Sequence, residues 1–182
     1  MQVQDVEYYL NALDEALVAQ GLITPIPVLL LGGAYIMLQI NARRTTQDID
    51  IFPFVGNEQD QATGMSLAAA LYQATETVAQ RYQLHPHWLN TVRKGALQPI
   101  GVEPAKTLWK RYHVLEVFLP DPEYILIQKL LINRRKDRQD ILALFHALGI
   151  IERTQAEEFL DRYISKDEQQ RFAVVLESYF QV

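Results

Sequence analysis

One segment restricts this chain more than any other. Leu29-Leu30-Leu31 is wholly apolar, Gly32-Gly33 follows at once, and Arg44-Thr45-Thr46-Gln47-Asp48-Ile49-Asp50-Ile51 comes a short distance later. A short apolar run bounded by glycine suits a central strand covered on both faces. The segment therefore predicts a strand over 28–31, a glycine turn, a short helix over 34–40 and a second strand over 48–52. Side chains alternate along a strand, so Asp48 and Asp50 project from one face. Two adjacent carboxylates repel each other, and both stay ionised comfortably when a cation sits between them. Carboxylate and phosphate oxygens suit Mg²⁺, which is usually held by one or two carboxylates plus its substrate. A Gly-Gly turn opening a helix lets backbone N–H groups approach a phosphate. Together the two halves read as a site for a metal-bound nucleoside triphosphate.

Composition narrows the setting. A chain of 182 residues with 49% hydrophobic content has enough apolar material for a core, and 21% charged residues without low-complexity runs argues against disorder. There is no cysteine, which removes disulfides and thiolate metal sites. Met1-Gln2-Val3-Gln4-Asp5 has no basic region leading into an apolar run, and no apolar run is long enough to span a bilayer. The expectation is a cytoplasmic protein without a membrane segment. A net charge of −5 argues against a general nucleic-acid coat.

Along the chain, Val6, Tyr9, Leu10, Leu13 and Leu17 fall at helical spacing over 4–20, and Gly21 stands where a helix stops. Pro25 and Pro27 predict a turn. Residues 58–83 read as mostly helical. The segment from His85 to Thr107 is rich in proline and glycine and predicts loops with one short strand near Ile100. Tyr112 to Leu119 alternates and predicts a third strand. Asp121-Pro122 opens a helix with a cap and a first-turn proline. Helices are expected over about 122–133 and 136–148, a third from the capping box Thr154-x-x-Glu157, and a last over 167–180. The division expected is a mixed α/β part over 1–120 and a helical part over 121–182 that completes the site.

The Gly-Gly, Arg-x-Thr-x-Asp-x-Asp arrangement resembles the nucleotidyltransferases of the DNA polymerase β-like superfamily, and within it the small AbiEii/MenT-type branch associated with toxin–antitoxin systems. Those chains also carry a later helix with a lysine and then Lys-Asp-x-x-Asp-Ile. Here Lys129 is followed by Lys136-Asp137-Arg138-Gln139-Asp140-Ile141. The resemblance implies an α/β fold with a minimal nucleotidyltransferase core, a small twisted mixed sheet flanked by helices, followed by a helical C-terminal part. It implies Mg²⁺- or Mn²⁺-dependent transfer of a nucleoside monophosphate from a nucleoside triphosphate to an acceptor. RNA, with a tRNA 3′ end first, or a protein hydroxyl is the acceptor expected, and an antitoxin partner is expected for a toxin. By the same resemblance Asp48 and Asp50 would hold metal. Gly32, Gly33, Arg44 and Thr46 would bind the nucleotide, Lys129 would meet the triphosphate, and Asp140 or Asp137 would hold Lys129 or organise the acceptor. Many superfamily members place a third carboxylate on a later strand. Glu116 is the acidic residue in the third predicted strand, either a metal ligand or an edge residue facing water.

Other features have blander alternatives. Lys106-Thr107-Leu108-Trp109-Lys110-Arg111-Tyr112-His113 reads either as an RNA-contacting stretch or as a charged strand lead-in with Trp109 capping the core. Arg134-Arg135-Lys136 reads as a guide for phosphates or as a solvated helix junction. The four histidines are too scattered for a zinc site. A non-catalytic protein of the same fold, binding a nucleotide or a partner, is the alternative to an enzyme.

Overall fold

The computed structural model describes residues 1–54, 66–92, 100 and 103–180. Its strands are β1 (Ile26–Leu31), β2 (Ile49–Pro53), β3 (Leu89–Thr91), β4 (Lys106–Arg111) and β5 (Leu115–Pro120). They form one mixed sheet in the order β3-β2-β1-β5-β4. β1 runs antiparallel to β2 and parallel to β5, β3 is parallel to β2, and β4 is antiparallel to β5. The helices are α1 (Val3–Ala19), α2 (Gly32–Tyr35), α3 (Leu67–Tyr82), α4 (Pro122–Ile132), α5 (Arg138–Ala147), α6 (Arg153–Tyr163) and α7 (Lys166–Phe180).

Each sheet face has its own core. Val28, Leu30, Ile49, Ile51, Leu115 and Val117 pack with Val6, Leu10 and Leu13 of α1 and Leu71 and Val78 of α3. Leu29 and Leu31 face the other way, onto Ile125 and Ile127 of α4, Ile141 and Leu144 of α5, Leu160 of α6 and Leu176 of α7. Cover on both faces explains why β1 reads as apolar without alternation. Leu30 and Leu31 are both fully buried, each stabilising by about 1.5–3 kcal/mol. The result is an α/β sheet flanked by helices with a helical C-terminal part. Among the described residues no helix is long and apolar enough to cross a membrane.

Several elements differ from the sequence reading. Pro27 lies inside β1 rather than in a turn. The predicted third strand begins only at Leu115, and β4 forms in what reads as a strand lead-in. The break between them is held by Asp14, a fully buried carboxylate of α1. It accepts backbone N–H bonds from His113 at 3.1 Å and from Val114 and Leu115 at 2.8 Å. Among the described residues of the 85–107 segment a short strand forms at Leu89–Thr91; Ile100 is buried, and residues 93–99 and 101–102, around which the short strand is expected, lie outside the described residues. α3 starts at Leu67 behind a Ser66 cap, and residues 58–65 of the predicted helix lie outside the described residues. The capping box of α6 sits two residues earlier than expected, with Glu152 at the cap. Gln155 Oε1 accepts from Ile151 N at 2.8 Å and Glu152 N at 3.0 Å, so the helix starts at Arg153 and Thr154 lies inside its first turn. Asp121 caps α4 as expected, accepting from Tyr124 N at 2.7 Å with Pro122 in the first turn.

Candidate active site

The glycine turn and the acidic strand interlock by sterics. Gly32 has φ +65°, a conformation that favours glycine, and a Cβ added there would run into the Asp50 carboxyl, 2.9 Å from its Cγ. A Cβ on Gly33 would stand 2.7 Å from Thr46 Oγ1. Thr46 Oγ1 in turn donates to Asp48 O at 2.9 Å, and the Thr46 backbone is bonded in both directions to Met1. Thr46 thus acts as a brace for the approach to β2. Asp50 stands opposite Leu31, at the end of β1 where Gly32 begins.

A third residue joins the two carboxylates. Asn90 on β3 is in register with Asp50, and its Nδ2 donates to Asp48 Oδ2 at 3.0 Å and to Asp50 Oδ1 at 3.1 Å. Burial, and then the Asp48 charge, push the Asp50 carboxyl above the ordinary range. The Asn90 hydrogen bond and the Arg134 and Lys129 charges oppose that shift.

Beside this pair stands a buried ion cage. α4 ends at Asn133 in the left-handed region, and the turn Arg135–Asp137 feeds α5 back beside it. Lys129 in the last turn of α4 then meets Asp137 at 2.9 Å and Asp140 at 2.7 Å, and its side chain is 4% exposed. Arg43 holds the Asp140 carboxylate with two nitrogens, Nη2 to Oδ2 at 2.6 Å, and Arg134 Nε donates to Asp137 at 2.6 Å. Burial alone would raise the Asp137 pKa, but bonds from Arg134 and Lys129 outweigh it and hold the group below the usual carboxylate range. Arg134 is half-exposed and its charge also acts on Asp50 and Asp48. It is the most exposed cation of the cage, ahead of Arg43, whose side chain is 31% exposed.

The fold therefore brings together Gly32, Gly33, Thr46, Asp48, Asp50, Lys129 and Asp140. It does not bring in Arg44, which is exposed; its neighbour Arg43 takes the inward place. Glu116 shares the sheet face of Asp50 but not its level. It pairs with Pro27, four residues below Leu31 and one strand further over, so about 13 Å separates the two levels along the strands. Glu116 is bound instead by Arg111 at 2.8 Å. Sequence reasoning missed Asn90, whose three-residue strand carries no motif, took Arg44 of the motif in place of its neighbour Arg43, and saw Arg134 only as one of a basic cluster.

The basic β4 stretch is tied into the fold. Lys110 meets Glu7 at 3.1 Å, Lys106 lies 4.8 Å over the Phe54 ring, and Trp109 packs against the core. Among the described residues there is no group of three or more His, Cys, Asp or Glu able to hold a metal. Two carboxylates with an amide between them form an oxygen-rich pair in which a hydrogen-bond donor occupies the place a hard cation would take. That donor set fits Mg²⁺ with substrate oxygens completing its shell.

No curated protein and no solved structure matches the chain significantly. Residues 9–179 match the family described as nucleotidyltransferase of unknown function (DUF6036), a span that takes in the glycine turn, the acidic strand, Asn90 and the ion cage. The chain belongs to this nucleotidyltransferase family.

Proposed function

We propose that this protein transfers a nucleoside monophosphate from a nucleoside triphosphate to an acceptor in a reaction that depends on Mg²⁺ or Mn²⁺. The observation that carries the reading is the Asp48–Asp50 pair joined by Asn90, with Asp50 packed on the bare backbone of Gly32. Family membership supports a transferase with a triphosphate substrate. Asp48 and Asp50 are the residues that would hold the metal, which when bound neutralises phosphate charge as the phosphoryl group transfers. Gly32 admits the Asp50 carboxyl against its bare backbone, which sets that carboxylate beside the turn where the triphosphate would lie. Arg134, still half-exposed, offers donors to the same phosphates. Lys129, Asp137, Asp140 and Arg43 satisfy one another and act as positioning residues that hold Arg134 and the floor of the site. RNA, a tRNA 3′ end first, or a protein hydroxyl is the acceptor we favour, and the likeness to AbiEii/MenT-type chains extends the reading to a toxin neutralised by a partner.

The neutral Asn90 beside the two carboxylates, with no third carboxylate at their level among the described residues, favours a second reading, a binding protein without turnover. Label transfer separates the two. The protein is incubated with each α-labelled triphosphate, Mg²⁺ or Mn²⁺, and an extract holding RNA and protein, beside Asp48→Ala/Asp50→Ala. Label in RNA or protein only with intact carboxylates supports transfer and names the acceptor class. Metal-dependent triphosphate binding without label under any condition supports the binding protein.

A further inference from the structure

Asn90 has a consequence for how metal enters the site. Its amide faces both carboxylates with N–H donors, at 3.0 and 3.1 Å, from the neighbouring strand at the same level as Asp50. A metal ion between Asp48 and Asp50 cannot share that space with two amide hydrogens. Either the amide leaves, or it turns about Cβ–Cγ and presents its carbonyl oxygen, a neutral ligand that hard cations accept. The protein therefore offers two formal negative charges and one neutral oxygen, with Arg134 opposing cation entry from the cage side. A triphosphate supplies the missing negative charge.

We propose that Asn90 makes metal binding conditional on the triphosphate: it braces Asp48 and Asp50 until metal binds, and turns its oxygen inward when metal and triphosphate arrive together. The proposal rests on the nucleotidyltransfer reading. It is a heterotropic linkage in which each ligand raises the affinity of the other by the same factor. Its physical source is that the third side chain facing the two carboxylates is a neutral amide, of nearly the same shape as a carboxylate but without its charge.

The test is Mn²⁺ binding followed by electron paramagnetic resonance of the free ion. It is run on the full chain with and without an α,β-methylene triphosphate that cannot transfer. Wild type is expected to bind Mn²⁺ weakly alone and at least about tenfold more tightly with the analogue present, beyond what the analogue binds by itself. Asn90→Asp is expected to bind Mn²⁺ alone about 10–100-fold more tightly than wild type and to lose most of the dependence on the analogue. Asn90→Ala, which adds no charge, is expected to bind metal and analogue together more weakly than wild type. Circular dichroism confirms that each variant is folded. In wild type, the Asn90 side-chain amide signals in a ¹⁵N spectrum, identified by their loss in Asn90→Asp, are expected to shift only when Mg²⁺ and analogue are both added.

Tight Mn²⁺ binding by wild type without the analogue overturns the proposal, and so does unchanged affinity in folded Asn90→Asp. Either result leaves the transfer reading standing, because metal still binds. Absence of Mn²⁺ binding by wild type even with the analogue overturns both.

Discussion

Replacing Lys129 by methionine tests whether this lysine belongs to the structure or to the substrate contact. Its Nζ donates to Asp137 at 2.9 Å and to Asp140 at 2.7 Å from a nearly sealed position. Methionine keeps most of the volume and removes the charge. Breaking a buried pair from one side costs about 3–5 kcal/mol, because the abandoned charge stays buried. Arg134 and Arg43 still hold one carboxylate each, so the lower end applies, about 3 kcal/mol. For a domain of this size, 1 kcal/mol moves Tm by about 2–4 °C, which gives a fall of about 6–12 °C. Urea and thermal melts on wild type, Lys129→Met, Asp140→Asn and the double variant supply the measurement. The two single costs are expected to exceed the cost of the double by about 1–3 kcal/mol, since the charges removed face each other. The pH dependence has a definite sign. Asp137 is held below its ordinary pKa, so its contribution is complete above the ordinary carboxylate range and is lost as pH falls through the lowered value. The gap between wild type and Lys129→Met therefore narrows in acid. A Lys129→Met protein with unchanged Tm and weakened triphosphate binding would refute the cage and make the lysine a substrate contact.

Three further outcomes follow from particular contacts. Gly32→Ala puts a Cβ at positive φ into the Asp50 carboxyl, and is expected to cost about 1–3 kcal/mol and to abolish label transfer; full activity in that variant would show the turn is not packed on the carboxylate. Asp50→Asn removes a charge that burial and Asp48 disfavour, so without metal it is expected to raise stability at neutral pH by about 1 kcal/mol while abolishing transfer. Because Asp50 has a raised pKa, the folded wild type takes up its proton as pH falls through that raised value and the advantage of asparagine shrinks; a gain that persists in acid denaturation curves would contradict this. Asp14→Ala strips three backbone donors between β4 and β5 of their acceptor and is expected to cost about 3 kcal/mol or more in urea unfolding, with a loss under 1 kcal/mol counting against the assigned role.

What the chain discloses before folding is what lies close together along it. The apolar run of β1, the Asp121-Pro122 start of α4 and the Gly21 stop of α1 each rest on local chemistry, and each appears in the structure near its expected place. Gly32, Gly33, Thr46, Asp48 and Asp50 were visible for the same reason. Asn90 was not: it lies on a three-residue strand too short to show a period, and only β2–β3 register sets it opposite Asp50. Arg43 rather than Arg44 turns inward because the helix after the glycines widens to a π-helix over Ile36–Ile40 and then breaks at Asn41 in the left-handed region. Those two steps reset the direction of the following side chains, and spacing alone does not reveal them. Glu116 shows the converse. Alternation gives its face correctly, but its distance from Asp50 depends on the β1–β5 pairing, which is a property of the assembled sheet.

The clasp between Arg43 and Asp140 joins residues 97 positions apart. At about 5–20 residues per second, a ribosome needs about 5–20 s to reach the second after adding the first. Through that interval the nascent chain holds its glycine turn and its acidic strand without the helices that steady them. A chain assembled in this order closes its ion cage only after Asp140 has been added, so the carboxylates of β2 wait for their surroundings well after they are made.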